Sequence, residues 1–430
     1  MLSQLQNRLH LLTSLNVARK PNVRMARLKK TDRWICSRRR LLYLLFIVTL
    51  APTPLLGSEQ RGRPVKGMPE APLPTRAQIS QAIALSGGYL ERACGLDGKF
   101  VYEIETHYGQ QASSYNIVRH AGAMYALAML NRSTPDRNAV DAMLRAATFM
   151  RQNYIAPDVH PGQLVVWSEP KGQRSEAALG ATGLGLVALT EVRKVAPKSV
   201  PLGELQALGR FALFLQKDDG SFASKYHSET GPEDWDSLYY PGETALGLIG
   251  LYETDHSRQW LNAAAKALSY LARSRAKLSP VPADHWAVIA IAKLLPYCDK
   301  TSCPVSREEL LLYANQVCNA IVRDQLRNPS APLDGAFDAI GVTSSVATRM
   351  EGLLAALEFL PENEFRAKVE AATGRGITFL LRAQIKSGPY AGGIPGAYLA
   401  GAPGTSEIRI DCVQHALSAL LRCQKVLLKH

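Results

Sequence analysis

The sequence predicts an all-α protein, an (α/α)6 toroid in which six helical hairpins form a ring inside a ring. Two observations carry this. From residue 76 onward, helix-like segments alternate strictly between an amphipathic texture and one that is apolar nearly all round. The apolar segments are rich in Gly and Ala, which lets their neighbours approach closely. A helix with a charged face belongs on the outside, and a helix apolar on every side must be buried on every side. No hairpin can bury its own apolar face, so the ring closes only when all are present. The 430 residues are therefore expected to hold one large domain.

In chain order, residues 1–57 read as a basic leader with a signal peptide or signal anchor, and 58–75 as a Pro-rich linker without fixed structure. The toroid is expected over 76–430. Its hairpins pair outer 76–95 with inner 120–130, 136–154 with 177–189, and 202–218 with 243–252. The remaining pairs are 257–274 with 286–295, 306–326 with 350–360, and 363–384 with 412–421. Residues 100–105 and 163–167 alternate like short strands. They fall in the loops that lead from an outer helix to the next inner one, so all these loops are expected at one end, beside the inner-helix N-termini.

The net charge of +13 is misleading as a guide to partners. Residues 1–41 hold eleven Lys/Arg against Asp32 alone, so the folded part carries only about +3. A nucleic-acid protein would spread its basic residues over the domain, and no nucleic-acid partner is expected. The apolar run 41–50 is short for a membrane span and suits an export signal, and Arg38, Arg39 and Arg40 ahead of it resemble a twin-arginine leader. A periplasmic or secreted location is expected, with inner-membrane attachment through residues 41–56 if the leader stays uncleaved. Cys94, Cys298, Cys303, Cys318, Cys412 and Cys423 follow the leader. Cys298 and Cys303 bracket a short loop and are the best candidates for a disulfide, whereas Cys318, Cys412 and Cys423 sit in helical patterns as buried thiols. No Cys/His set has zinc spacing, and no phosphate-binding Gly-rich loop follows a strand, so neither metal nor cofactor is expected.

Outer helices end in recurrent loops: Gln216 with Asp219, Gly220, Ser221 and Phe222; Asp334, Gly335, Ala336 and Phe337; and Gln384 with Gly388, Pro389 and Tyr390. Together with the apolar Gly/Ala helices, this repeat resembles the six-hairpin glycosidase-like superfamily over roughly residues 76–430. The ends around Phe211–Gln216 and Phe379–Gln384 also resemble repeats of terpenoid-cyclase toroids. An acidic Asp-x-Asp-Asp motif and enrichment in aromatics along the outer helices are both missing, which counts against the cyclase branch. The superfamily resemblance implies the toroid and chemistry on sugars in its funnel, without fixing which reaction. Asp219 itself is expected to be a turn residue.

Polar residues at the starts of the apolar helices are the candidates for a site, because packing explains them poorly there. They are Tyr115, Asn116, Arg119 and His120; Arg174, Ser175 and Glu176; Tyr239, Tyr240 and Glu243; Asp284, His285 and Trp286; Arg349 and Glu351; and Asp411, Gln414 and His415. Each also has a plain alternative. Glu243 is favoured by the helix dipole, Asp284 is a natural N-cap, Glu351 could form a structural ion pair with Arg349 or another ring residue, and Asp411 could bond His415 four residues on. Tyr102, Tyr108, Trp167, Tyr226, Trp235, Tyr239, Tyr240, Trp286, Tyr390 and Tyr398 are expected mostly at the same rim, as faces on which sugar rings stack.

The leading functional expectation is an exported glycoside hydrolase acting on an envelope or extracellular polysaccharide, which requires two carboxyl groups in different protonation states. Glu243, Asp284 and Glu351 are the candidates, with His120 also placed in the catalytic set. Tyr115, Asn116, Arg119, Tyr239, Tyr240, His285, Trp286, Arg349 and Asp411 are expected to bind substrate. The second expectation is a polysaccharide lyase or uronate epimerase using Tyr115, Asn116, Arg119 and His120. The third is a glycan-binding protein of exopolysaccharide assembly, without turnover.

Overall fold

A computed structural model describes residues 74–298, 305–328 and 331–426. The leader, most of the linker, Cys303 and the export and membrane-attachment expectations lie outside the described residues. Among the described residues, no helix is long and apolar enough to cross a membrane.

Helices alternate between an outer and an inner ring, as the sequence pattern requires. The outer set is α1 (Arg76–Ala93), α3 (Arg137–Asn153), α5 (Leu202–Phe214), α7 (Arg258–Arg275), α9 (Arg307–Asp324) and α11 (Glu364–Ala383). The inner set is α2 (Ile117–Ser133), α4 (Leu179–Val195), α6 (Tyr240–Asp255), α8 (His285–Cys298), α10 (Thr343–Ala356) and α12 (Ile410–Val426). Each inner helix packs on the next in sequence, and α12 returns to α2, so the inner ring is closed. The closest pair is α4 and α6, where glycines bring the backbones together. A Cβ on Gly183 would stand 2.5 Å from Thr244 Oγ1, and one on Gly247 would stand 2.6 Å from the Gly183 carbonyl. Inner helices such as α4 are buried along nearly their whole length, whereas α3 and α7 bury one face.

The outer ring is tied by the recurrent loop noted in the sequence. Gln216 Nε2 donates to Ala263 O at 2.9 Å, Gln325 Nε2 to Ala372 O at 2.9 Å, and Gln384 Nε2 to Ala82 O at 2.8 Å. Each bond runs from the end of one outer helix to the middle of the next, and the last one closes the ring onto α1. The glycine of the loop lies against that same helix. Gly220 has φ +98° and a Cβ there would meet the Lys266 carbonyl at 2.5 Å, so only glycine satisfies both the turn and the contact. Asp219 accepts from Ser221 N–H at 2.9 Å and Oγ at 2.7 Å, the turn role expected of it.

Among the described residues, the eight short strands all lie in loops that precede inner helices, which gathers them at the mouth of the toroid. β1 (Glu103–Glu105) pairs antiparallel with β2 (Gln110–Gln111) and with β8 (Glu407–Arg409), joining the first hairpin to the last. β3 (Ile155–Pro157) pairs with β4 (Leu164–Val166), and β5 (Glu176–Ala178), β6 (Lys225–His227) and β7 (Gly231–Glu233) form a small sheet. At the other end, inner-helix C-termini are held by ion pairs: Arg132 to Glu191 at 2.6 Å, Lys194 to Glu191 and Glu253 at 2.9 and 3.0 Å, and Lys293 to Glu253 at 3.0 Å. Cations there suit the negative ends of the helix dipoles. Cys298 is disulfide-bonded, while Cys94, Cys318, Cys412 and Cys423 are free and buried.

Candidate active site

Three side chains from three successive inner helices meet near the mouth end of the ring. Glu351, on α10, is fully buried and lies between His285 of α8 and His415 of α12, the two helices that flank it. Its Oε2 is 2.7 Å from His415 Nδ1 and 3.8 Å from His285 Nε2. The two imidazole rings are 5.6 Å apart and nearly perpendicular. His415 retains 14% side-chain exposure, whereas His285 is sealed to 1%. Gln414 Nε2 sits 3.3 Å from His415 Nδ1 as a weaker second contact.

His285 is the unusual member. Both its ring nitrogens are buried without a hydrogen-bond partner, as is Glu351 Oε1. Buried polar atoms are nearly always satisfied, so unsatisfied ones gathered in one place mark a location prepared for something else. Burial, with the His415 and Arg349 charges nearby, pushes the His285 pKa well down and keeps its ring neutral. Aromatic neighbours fix that ring: Tyr239 lies at 5.1 Å and Trp286 at 5.0 Å.

Around the trio stand Glu243, Tyr239, Tyr240, Arg349, Arg119 and Asp411. Glu243 is buried with Oε2 unpartnered, and burial reinforced by Asp284 pushes its pKa well above the usual carboxylate value, which favours the protonated form. Gly180 makes room for it, since a Cβ there would stand 2.6 Å from Glu243 Oε2. Arg119 Nε pairs with Asp411 Oδ2 at 3.1 Å, and its guanidinium also donates to the Tyr102 hydroxyl. Arg409 completes this rim group with two bonds to Asp411, at 2.6 and 3.0 Å. These contacts hold Asp411 below the usual carboxylate range against the effect of its burial.

Other expected site residues have structural work. His120 is wholly buried toward α3, where Nδ1 takes the Tyr115 hydroxyl proton at 2.7 Å and Nε2 bonds Ala146 O at 2.9 Å. Tyr115 also accepts from Phe100 N–H at 3.2 Å. Asn116 caps α2 through the N–H groups of Val118 and Arg119. The short run 115–120 thus supplies a cap and a packed lock, with Arg119 alone reaching the rim. Asp284 has both oxygens engaged, Oδ1 by the Ala287 N–H at 3.0 Å and Oδ2 by Arg275 of α7 at 2.5 Å. Burial lifts its pKa to about 6 against the pull of Arg275.

One pairing differs from that expected: His415 bonds Glu351 on another helix and not Asp411 on its own. Glu351 finds its partner in the ring histidines, with no ion pair to Arg349. The aromatic set is also redistributed. Tyr226, Trp286, Trp167 and Tyr102 are core residues at 1–7% exposure, and only Tyr108 and Trp235 are well exposed. Of the remaining set, Trp235, Tyr239 and Tyr240 stand beside one another, Trp235 meeting Tyr240 edge-on at 6.0 Å, while Tyr108 is exposed and Tyr390 and Tyr398 are half-buried.

No protein-family model matches the chain, and no curated protein matches it. Solved structures do match. A sugar epimerase from a ruminal bacterium aligns at TM-score 0.63 and 11% identity, over 81% of this chain and 98% of its own. A D-mannose isomerase aligns at TM-score 0.63 and 8% identity, over 82% and 98% of the two chains. An α-mannanase of Bacteroides thetaiotaomicron aligns at TM-score 0.58 and 12% identity, over 82% and 97%. At such identities the likeness shows the fold, and the fold is the (α/α)6 six-hairpin toroid.

Proposed function

We propose that this chain is a carbohydrate-active enzyme, a sugar epimerase or isomerase that moves the proton on the carbon next to the carbonyl of an open-chain reducing sugar. The observation that carries this reading is the His285–Glu351–His415 trio. Proton abstraction beside a carbonyl needs a neutral base on one side and a group able to return the proton on the other. Neutral His285 is suited to one of these roles. His415, oriented through Nδ1 by Glu351, offers Nε2 for the other, the same ordering of tautomer that a carboxylate imposes in other His–carboxylate pairs. The abstracted proton goes to an imidazole, and the electron pair is left on the carbonyl oxygen as an enediolate. Reprotonation of the same carbon from the opposite face gives the epimer, and reprotonation of the neighbouring carbon gives the ketose. Two of the neighbours, the sugar epimerase and the mannose isomerase, carry out conversions of this class, which agrees with the reading. Export through the 1–57 leader belongs to the same proposal, and the disulfide at Cys298 suits an oxidising compartment.

Glycoside hydrolysis is the second reading, supported by Glu243. A buried carboxyl whose surroundings favour its protonated form, with a free oxygen, suits a leaving-group acid, and the α-mannanase has the same fold. It is weaker because Arg275 and the α8 cap occupy Asp284, which leaves only Glu351, already bound to His415, as second carboxylate. One experiment separates the readings. The protein is incubated in D2O with reducing sugars and with oligosaccharides, followed by NMR and a reducing-end assay. Deuterium appearing on the carbon beside the carbonyl supports the epimerase or isomerase. New reducing ends without deuterium would replace it with the hydrolase, and neither would leave a glycan-binding protein.

A further inference from the structure

Arg349 stands on α10 two residues before Glu351, half-buried, beside Tyr239, whose ring lies against that of His285. One of its nitrogens, Nη1, is tied to its own helix by the Ser345 carbonyl at 2.9 Å and hydroxyl at 2.5 Å. The guanidinium carbon lies over the Phe337 ring, 4.6 Å from its centroid. Among the described residues it has no ion pair. Asp324 is held by Arg323 at 2.8 Å, and Asp338 accepts the N–H groups of Ile340 and Val342, each at 3.1 Å. Three other arginines of the mouth contrast with it: Arg119 and Arg409 share Asp411, and Arg275 holds Asp284.

Desolvating a guanidinium without a counter-ion is costly, and such a group persists where something else completes it. Arg349 is preorganised for that, because Ser345 and Phe337 fix its plane while Nε and Nη2 remain available. Two N–H groups on one side of a planar fork match two oxygens of a carboxylate or phosphate. The rim points the same way, since Arg119 and Arg409 bring two positive charges to the one carboxylate of Asp411.

Resting on the epimerase or isomerase reading of the site, we propose that Arg349 anchors a negatively charged group on the substrate, which is therefore an acidic sugar. A carboxylate at the end of a uronic acid and a phosphate ester on a hexose present the same chemistry to the fork.

Calorimetric titration of the full chain with glucuronate, galacturonate, glucose 6-phosphate and the neutral parent hexoses tests this, with deuterium exchange measured in parallel. At least one anionic sugar should bind tenfold or more tightly than its neutral parent, and which one does so identifies the anion as carboxylate or phosphate. Arg349→Gln should abolish that preference, and Arg349→Lys should retain part of it. Equal affinity of the native protein for charged and neutral sugars would overturn the proposal, and that result needs no variant to fold. A preference that survives in Arg349→Gln would overturn it as well. Arg349-dependent binding without any exchange would keep the anion site and remove the epimerase reading, so the two fail separately.

Discussion

Acidification tests whether His120 is a structural residue. Its ring is fully buried, with both nitrogens satisfied by Tyr115 and Ala146, and burial lowers its pKa to about 4 from the ordinary 6.5. The unfolded chain therefore binds a proton between pH 6.5 and 4 that the folded chain refuses, so stability falls as pH drops through that window. Between pH 7 and pH 4.5 the loss attributable to this residue is about 2.4 kcal/mol, roughly 70% of the about 3.4 kcal/mol that the full shift of about 2.5 units gives at 1.36 kcal/mol per unit. For a domain of about 350 residues, with an unfolding entropy near 2.1 cal/mol/K per residue, this is a drop in Tm of about 3 °C. His285 contributes to the acid slope in the same direction, so the comparison must be with His120→Leu, which keeps His285. At pH 7 the variant should be less stable by about 2–3 kcal/mol for two lost hydrogen bonds and imperfect packing. At pH 4.5 most of that difference should vanish. Urea denaturation of both proteins at the two pH values is the assay. A stability gap independent of pH, or a variant of native stability that has lost turnover, would refute the structural assignment.

Two further substitutions probe the site and its walls. Gly180→Ala places a methyl group against Tyr240 and Glu243, where α4 and α6 nearly touch. It should cost about 1–3 kcal/mol in chemical denaturation and disturb turnover along with it. Glu351→Gln keeps the size of the side chain but removes the charge that orients His415. The loss of one charge-assisted hydrogen bond, about 1.5–3 kcal/mol, should slow proton exchange by roughly 10- to 150-fold with little change in unfolding.

The fold was legible because burial writes itself into texture. The stretches 177–189 and 243–252 have no polar face, and only a closed inner ring can hide such helices on every side. The Gln216 and Asp219–Phe222 loop was equally readable, since a turn glycine and a fixed amide recur at the ends of α5, α9 and α11. The site was legible in part. Glu243, Glu351, His285 and the rim residues Arg119, Arg349 and Asp411 do gather at one end, because inner-helix N-termini share a mouth. Which face of each helix looks inward was not readable from one chain. His120 and His415 both lie near the starts of apolar helices, yet one turns outward to Ala146 and the other meets Glu351 of the neighbouring inner helix. Spacing favoured a bond from His415 to Asp411 four residues away, but Arg119 and Arg409 claim that carboxylate. Asp284 is a similar case, since its partner Arg275 is the last residue of an outer helix.

The most direct test of the central claim is solvent-deuterium incorporation by the native protein and by His285→Asn and His415→Asn separately, on whichever reducing sugar the native protein exchanges fastest. If the two imidazoles carry the proton, each variant should lose at least about 100-fold in exchange rate while unfolding at the native temperature. Native-like exchange in either variant would contradict the account.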